Sequence, residues 1–226
     1  MYKHLKKVVA ILLSTIFLSM ATWIPITGGY YNPAAGGHVC NHGYYTLGDR
    51  VWIRALNDRF YWRDPLLVNT MSSGTQYNYA QLVSLACSYW HQANHNILFN
   101  QNNSQSNATL EIWQKNNFDP GVLGLTTFWQ GSAEVNIKSD GALSKNYSHV
   151  KIYLSPDALN QYIPNSDAWQ RAGTIVHELG HALGLSHRNN LPTSIMCQYG
   201  AGRTATTPSA ADNAAVIHLY PNPIYK

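Results

Sequence analysis

Hydrophobic residues recur at helical spacing in two long segments of the chain. In Gln76–His91 the apolar positions fall three or four residues apart, which predicts an amphipathic helix. A second stripe begins after Ser166 and Asp167, either of which can cap a helix, and we expect this helix to end at Gly184. The residues predicted to face the sheet from this second helix are Trp169, Ala172, Val176, Leu179 and Leu183.

Apolar and polar residues alternate in short runs elsewhere, which is typical of half-buried strands. The predicted strands are Val51–Leu56 within the segment Arg50–Trp62, Ala108–Trp113, Leu123–Trp129, Ala133–Lys138 and Val150–Leu154. A polar loop, Asn100–Asn107, separates the first helix from most of them. Helices and strands in this order predict an α+β domain over residues 46–226, with a twisted mixed sheet, a long second helix and a small irregular C-terminal part.

The N-terminus has the composition of a targeting segment. Three lysines precede the short apolar run Val8–Leu18, and small residues follow at Ser19–Ala21. This order is typical of a secretory signal peptide, residues 1–21, so we expect a secreted or extracellular protein, with cell-surface association as a variant. The alternative is an uncleaved membrane anchor, although the run is short for a bilayer span. Residues 22–45 lack periodicity and are predicted to form an irregular N-terminal arm.

Charge and cysteine content narrow the functional classes. Without the leader's three lysines, the 15 Lys and Arg fall to 12, against 11 Asp and Glu, for a net charge of +1. Such a chain offers no basic surface for nucleic acid, and we expect a monomer without stable membrane insertion. Cys40, Cys87 and Cys197 allow one disulfide in an exported protein, and the sequence leaves the pairing open.

The second predicted helix contains the residue types of a metal site. His177 and His181 lie four residues apart, and four residues turn a helix by about 400°, so both imidazoles leave it on the same side. Gly184 can turn the chain so that His187 supplies a third ligand, and three imidazoles with one open position suit a catalytic zinc ion. Glu178 lies beside the first ligand and can act as general base toward a zinc-activated water. The pattern therefore predicts zinc-dependent hydrolysis.

The run His177–His187 resembles the long zinc-binding signature of the metzincin metalloproteases, including its glycine. Ser194–Met196 resembles the Met-turn of that group, in which Met196 would form an apolar floor beneath the histidines. The segment Thr207–Pro221 resembles the final helix of the matrixin branch, the matrix metalloproteinases and their relatives. The resemblance covers about residues 46–222. It implies a secreted zinc endopeptidase with one catalytic Zn²⁺ and a protein or peptide substrate, which would pair with an edge strand at Gly124, Leu125, Thr126 and Thr127.

Several positions depart from the family pattern. Arg188 follows the third histidine, where matrixins usually have Ser, and Tyr199 lies one position too far from Met196 to match the metal-shell tyrosine of astacin-like enzymes. We therefore do not assign Tyr199 as a ligand. Asp140-Gly141 resembles a fragment of a metal-binding loop without its carboxylates, so neither calcium nor a second zinc is assigned. Cys40 does not match the matrixin cysteine switch, and half of a disulfide is favoured over a thiolate on zinc.

Two other functions remain open from the sequence. One is a zinc-bearing binding protein without catalysis, against which the retained Glu178 speaks. The other is a cell-surface carbohydrate or adhesion module, motivated only by the seven Trp and 15 Tyr, which more often fill cores and strand faces. His38 and His42 also have a spacing of four residues, but they lie in a Gly-rich stretch and are interpreted as loop histidines.

Overall fold

The structure is a computed structural model that describes residues 29–53, 59–68, 70–72, 75–116, 118–164 and 168–221. The predicted signal peptide and the predicted helix cap at Ser166 and Asp167 lie outside these residues. Strands and helices are numbered here in chain order. The strands are β1 (Tyr30–Asn32), β2 (Gly37–Val39), β3 (Arg59–Arg63), β4 (Thr70–Ser72), β5 (Thr75–Tyr77), β6 (Phe99–Gln101), β7 (Leu110–Gln114), β8 (Gly124–Gln130), β9 (Ala133–Glu134) and β10 (His149–Leu154). The helices are α1 (Tyr79–Ala93), α2 (Pro156–Tyr162), α3 (Ala168–Ala182) and α4 (Ala210–Leu219).

A six-stranded sheet with the order β6-β3-β7-β10-β8-β9 forms the centre of the described structure. The pairs from β6 to β10 are parallel, whereas β8 runs antiparallel to both β10 and β9. One face of the sheet is apolar because alternate residues point to the same side, among them Ile112, Val150 and Ile152, all fully buried. The predicted α+β class with a mixed sheet is confirmed.

The two long helices pack against each other and close the core. The indole nitrogen of Trp90 in α1 donates a hydrogen bond to the carbonyl oxygen of Val176 in α3 at 2.9 Å, and both side chains are fully buried. A buried Trp needs such a partner for its N–H group. Val176 belongs to the predicted stripe of α3, whose members Ala172, Leu179 and Leu183 are also buried. Trp169 is 60% exposed, so its assignment to the stripe was wrong. It lies in the first turn of α3, one turn before Ala172.

The predicted strands differ from the observed ones mainly at the N-terminal side of the sheet. The run predicted at Val51–Leu56 forms only an isolated bridge, between Trp52 and Tyr147, and residues 54–58 lie outside the described residues. The regular strand follows at β3. The segment predicted at Ala133–Lys138 is a strand only over β9, because Ile137 already bridges to Leu143 in the following turn.

The elements that were not predicted as such are strands β1, β2, β4, β5 and β6 and helix α2. The arm predicted as irregular contains the antiparallel hairpin of β1 and β2, where Tyr30 pairs with Val39. The polar loop Asn100–Asn107 begins with the last residues of β6, which pair with β3. Helix α2 follows β10 directly, with the side chain of Ser155 as N-cap and Pro156 in its first turn, where proline is tolerated.

All three cysteines are described, and each is a buried free thiol. The structure therefore contains no disulfide among Cys40, Cys87 and Cys197, and the interpretation of Cys40 as half of a disulfide was wrong. The three sulfur atoms lie in different parts of the fold. Cys87 lies within α1, Cys40 follows β2, and Cys197 follows Met196. Within the described part of the chain, no helix has both the length and the apolar character required to cross a membrane.

Candidate active site

Three histidines converge beside the C-terminal end of α3. The Nε2 atom of His181 lies 3.1 Å from the Nε2 atom of His177 and 3.1 Å from that of His187. The first two residues share one side of α3, as their spacing predicts. His187 reaches them because Gly184 adopts a φ of +94°, a left-handed conformation that suits glycine and ends the helix.

Backbone carbonyls hold the other side of these rings. The Nδ1 atoms of His177 and His181 lie 2.8 Å from the carbonyl oxygens of Ile195 and Leu185, respectively. A carbonyl only accepts, so each Nδ1 carries the proton and each Nε2 presents a lone pair. The ring of His187 has a hydrogen bond to the backbone of Gly36, in the turn between β1 and β2. Burial lowers the pKa of His181 to about 4 and that of His187 to about 3, and lowers the pKa of His177 well below its usual value. All three rings are therefore neutral at physiological pH.

This arrangement fits a zinc ion. Lone pairs that converge at 3.1 Å repel each other unless a cation lies among them. Tetrahedral zinc with Zn–N bonds of about 2.0–2.1 Å places its nitrogen ligands about 3.4 Å apart, close to the observed separations. One ring nitrogen from each of the three histidines lies within 4.8 Å of the other two. The donor set is three neutral imidazoles, which is common in catalytic zinc sites.

Glu178 lies next to this cluster and is 95% buried. Its carboxylate oxygen Oε2 accepts a hydrogen bond of 2.7 Å from the hydroxyl group of Thr126 in β8. Burial raises the pKa of Glu178 to about 7, against the opposite effects of the Thr126 hydrogen bond and of the positive charge of Arg203. A carboxyl group with a pKa near neutrality can both accept and release a proton under physiological conditions.

The segment predicted as a Met-turn lies directly beneath α3. The carbonyl of Ile195 holds His177, and Met196 packs so closely against Gly180 that no Cβ atom would fit between them. The backbone nitrogen of Arg188 donates to the carbonyl of Met196 at 2.9 Å, which joins this segment to the chain that follows His187. Met196 is thus an apolar neighbour of the histidine-bearing helix.

Asp212 at the start of α4 fixes the same segment. Its carboxylate accepts hydrogen bonds from the hydroxyl group of Ser194 and, at 2.9 Å, from the backbone nitrogen of Ile195. It also completes a capping box with Ser209 at the N-terminus of α4. A buried carboxylate with several N–H and O–H donors is well satisfied and fixes their positions. Asp212 therefore connects α4 to Ile195, whose carbonyl oxygen accepts the hydrogen bond from the ring of His177.

A cavity of about 710 Å³ opens in front of the histidines. The predicted edge strand residues Gly124–Thr127 belong to β8 and pair with β10 on one side. On the other side β9 pairs only with Trp129 and Gln130, so among the described residues no strand covers the outer edge of Gly124–Thr127. Gly124, Leu125 and Thr126 line this cavity, and Tyr199 and Arg203 lie on its wall.

The sequence did not indicate two of the contacts that shape this site. Thr126 was predicted only as part of the edge strand, and the hydrogen bond of its hydroxyl group to Glu178 spans 52 residues of sequence. Arg203 has no role in the sequence analysis, yet its buried guanidinium group donates a hydrogen bond of 2.9 Å to the hydroxyl group of Thr174 in α3. The position of Arg203 near Glu178 of α3 depends on the tertiary structure, so the sequence alone could not predict it.

The three histidines beside a buried carboxylate form a donor set that suits a catalytic metal ion. The model of the matrixin peptidase family matches residues 66–221, about two thirds of the chain, and the chain therefore belongs to the matrixin family. A chain in the GM1-bound form of the ECX AB5 holotoxin is similar in structure, with a TM-score of 0.47 and 16% sequence identity over 85% of this chain and 84% of that chain. The comparison with curated proteins finds no match.

Proposed function

We propose that this matrixin is a secreted zinc-dependent endopeptidase, in which His177, His181 and His187 hold the zinc ion and Glu178 is the general base. The observation that carries the proposal is the convergence of three Nε2 lone pairs beside a buried carboxylate, at the wall of a cavity with an uncovered strand edge. In this proposal α3 is the zinc-binding helix. The chain after His187, as far as α4, is a small C-terminal subdomain that forms the second wall of the cleft.

The substrate would bind in an extended conformation along β8. The uncovered backbone of Gly124–Thr127 offers N–H and C=O groups for main-chain pairing, and side chains of the peptide would enter the cavity on the Tyr199 side. Gly124 lets the strand approach the base, because a Cβ atom there would lie 2.9 Å from Oε1 of Glu178. This close approach would place a bound peptide next to the carboxylate.

The residues around the scissile bond divide the chemistry between them. Zinc, when bound, supplies a Lewis acid that polarises the carbonyl group and lowers the pKa of a water molecule. Thr126 holds Oε2 of Glu178, so that Oε1 is the oxygen available to take a proton from the attacking water and to pass it to the leaving amine nitrogen. The neutral rings of the three histidines keep their lone pairs for the metal.

Cleavage assays test this proposal. The purified protein should hydrolyse casein and a peptide library, and chelation of zinc should abolish the activity until zinc is added back. Glu178→Ala should lose at least ~10³-fold in kcat while it keeps its zinc, whereas Glu134→Ala, at an exposed position on β9, should be unaffected. Undiminished cleavage by Glu178→Ala, or a zinc-loaded protein that cleaves nothing, would contradict the proposal.

Export is a separate part of the proposal and has its own test. Residues 1–21 would direct secretion and be removed, so the mature protein in the culture medium should begin at Thr22. N-terminal sequencing of the secreted protein measures this directly. Retention of the full-length chain in the membrane fraction would instead support the uncleaved anchor.

A further inference from the structure

A second group of potential metal ligands lies outside the candidate active site. It consists of Cys40, His42, Asp49 and His218, and one ligand atom from each residue lies within 4.8 Å of all the others. Three of these residues follow β2, and the fourth belongs to the last turn of α4. The group shares no residue with the histidine cluster of α3, and the proposed peptidase mechanism does not use it.

The polar atoms of this group converge on one nitrogen. The Sγ atom of Cys40 lies 3.8 Å, and Oδ1 of Asp49 3.2 Å, from the same Nε2 atom of His218. In a catalytic triad the nucleophile and the carboxylate contact opposite nitrogens of the histidine, so this arrangement is not a nucleophile relay. The Nδ1 atom of His42 lies 4.0 Å from the other oxygen of Asp49. All four donor atoms thus lie close enough together to be ligands of one metal ion.

We propose that Cys40, His42, Asp49 and His218 form a second metal site, which binds Zn²⁺ in tetrahedral coordination. One thiolate, two imidazoles and one carboxylate are all zinc ligands, and the ligand atoms of tetrahedral zinc lie about 3.3–3.8 Å apart. The distances of 3.8 Å and 3.2 Å from Nε2 of His218 already lie near these values, and the other separations do not exceed 4.8 Å. The sulfur and nitrogen donors argue against calcium and magnesium, which take oxygen ligands.

Turns of the backbone hold two of the ligands, and the turn at Asp49 has a conformational cost. Asp49 adopts a φ of +54°, the left-handed region, and it is the only described residue other than glycine that does so. Such a conformation costs about 1–3 kcal/mol and persists where the surroundings impose it. The turn after Cys40 is closed by a hydrogen bond of 2.9 Å from the nitrogen of Cys40 to the carbonyl of Tyr44. Both turns direct their side chains toward His218.

Neighbouring groups orient the ligands further. The hydroxyl group of Thr46 donates to Oδ1 of Asp49 at 2.7 Å, and the ring of Tyr44 stacks on His218 with 4.6 Å between ring centroids. Outer contacts of this kind fix the ligand orientation in known metal sites. His42 has a 67% exposed side chain, so a metal ion can enter from solvent on its side.

The site would join the N-terminal segment to the final helix. Between its ligands, the nitrogen of Leu47 donates to the carbonyl of Gly184 at 2.8 Å, at the turn that brings His187 to the catalytic cluster. A metal ion that binds the folded protein but not the unfolded chain raises the free energy of unfolding. A metal ion here would therefore stabilise the segment that supports the active site without taking part in the chemistry.

Metal counting separates the two sites. The purified full chain, loaded with Zn²⁺ and freed of excess metal, should contain about two zinc ions, against about one in His181→Ala, Cys40→Ser and His218→Ala. Cys87→Ala, which removes a cysteine buried in α1, is the matched control and should keep both. Because the zinc of the second site is counted in His181→Ala, its presence does not depend on peptidase activity.

Cobalt supplies a second readout that is specific to the thiolate. A Co²⁺-loaded protein should show sulfur-to-cobalt charge-transfer absorption in the near ultraviolet, retained in His181→Ala and lost in Cys40→Ser. His42→Ala, at an exposed position that tolerates substitution, should weaken binding of the second zinc by at least ~10-fold. The proposal would be overturned if the wild-type protein held only one zinc ion and His181→Ala removed it. It would also be overturned if Cys40→Ser and His42→Ala kept both the second zinc ion and the cobalt band.

Discussion

At the scale of single residues, the position of Glu178 depends on a hydroxyl group from a different element. Thr126 in β8 donates to Oε2 of Glu178 at 2.7 Å, and this hydroxyl also lies 3.2 Å from the carbonyl oxygen of Glu178. Both residues are buried, so water does not compete for these bonds. We therefore treat Thr126 as a positioning residue for Glu178, the proposed general base.

Substitution of Thr126 tests this role. Thr126→Val keeps the shape and removes the hydroxyl group, so the carboxylate loses its orientation, and kcat should fall ~10- to 100-fold. KM should change little and the zinc content should not change, because neither the strand edge nor the histidines are altered. Thr126→Ser should restore most of kcat. Equal losses in the Val and Ser variants, or loss of zinc from either, would show that Thr126 has only a packing role.

The histidines and Glu178 could be predicted from the sequence because their geometry is local. Four residues of helix align His177 with His181, and one glycine in the left-handed region returns the chain to His187. The partner of Glu178 could not be predicted in this way, because strand pairing between distant segments decides which side chain of β8 faces α3. Their assigned roles in binding zinc and in catalysis remain predictions.

At the scale of elements, Glu111 connects β7 to β10 on the face of the sheet opposite the core. Its carboxylate accepts hydrogen bonds from the side chains of Gln105 at 2.8 Å and His149 at 2.7 Å, and Lys151 lies 3.5 Å away. Burial by itself would raise the pKa of Glu111, but these hydrogen bonds and the ammonium group outweigh it, so the pKa lies below its usual value. The ionised form is therefore the one that stabilises the fold.

The pH dependence of stability follows from this direction. The pKa of Glu111 is lower in the folded protein than in the unfolded chain, where it is about 4.3. Its ionised carboxylate therefore contributes its full stabilisation above about pH 4.3, and this contribution is lost as the pH falls through the pKa of the folded state. Glu111→Gln should lower the free energy of unfolding by about 1–2 kcal/mol at pH 7, and the difference should shrink toward zero in acid. Urea unfolding at several pH values measures it, with exposed Glu134→Gln as control. A difference that persists unchanged below pH 3 would contradict the assignment.

Asp212 connects α4 to the Met-turn segment, and its replacement should affect both stability and metal binding. Asp212→Asn places an N–H₂ group against the donors Ser194, Ser209 and the Ile195 nitrogen, so at least one donor loses its acceptor. We expect a loss of about 2–3 kcal/mol in the free energy of unfolding.

Zinc affinity should fall in the same Asp212 variant, because the Ile195 carbonyl that holds His177 is displaced. Asp157→Asn, at an exposed position in the first turn of α2, is a matched control and should lose less than about 1 kcal/mol. Chelator competition measures the affinity. Unchanged zinc affinity in a destabilised Asp212→Asn would limit Asp212 to a capping role for α4.

The long helices could be predicted from the sequence, whereas the short elements could not. In α1 and α3 the apolar stripe repeats over several turns, and the predicted and observed ranges overlap closely. The hairpin of β1 and β2 is Gly-rich and has little periodicity, and it forms through contacts with a segment near His187. Helix α2 is seven residues long, which is too short for a repeated pattern.

At the scale of the whole molecule, the N-terminal segment supports a site that lies mostly in the later part of the chain. The family match begins at residue 66, yet residues before it contact the loop of His187. The nitrogen of Ser186 donates to the carbonyl of Tyr45 at 3.1 Å, and the nitrogen of His38 donates to the hydroxyl group of Ser186 at 2.8 Å. The hairpin of β1 and β2 is therefore a structural part of the site.

Gly37 in β2 lies where this hairpin meets the active-site loop, so it offers a test of the whole arrangement. A Cβ atom at Gly37 would overlap the backbone carbonyl group of His187 and the hydroxyl group of Ser186, and the carbonyl group cannot move without displacing the third histidine. Gly37→Ala should therefore lower the free energy of unfolding by about 1–3 kcal/mol, the usual cost of overpacking. It should also weaken zinc binding, because His187 and the backbone that holds its ring move together.

Gly200 provides the matched control for this variant. It lies in the wall of the same cavity, but a Cβ atom there would meet nothing within 4 Å, so Gly200→Ala should keep wild-type stability and zinc content. Thermal unfolding with and without zinc distinguishes the two effects, since a ligand that binds only the folded state raises the unfolding temperature by an amount that increases with its affinity. If the hairpin were an independent appendage, Gly37→Ala would detach it and leave the zinc-dependent rise in unfolding temperature unchanged. If it supports His187, the rise itself should become smaller.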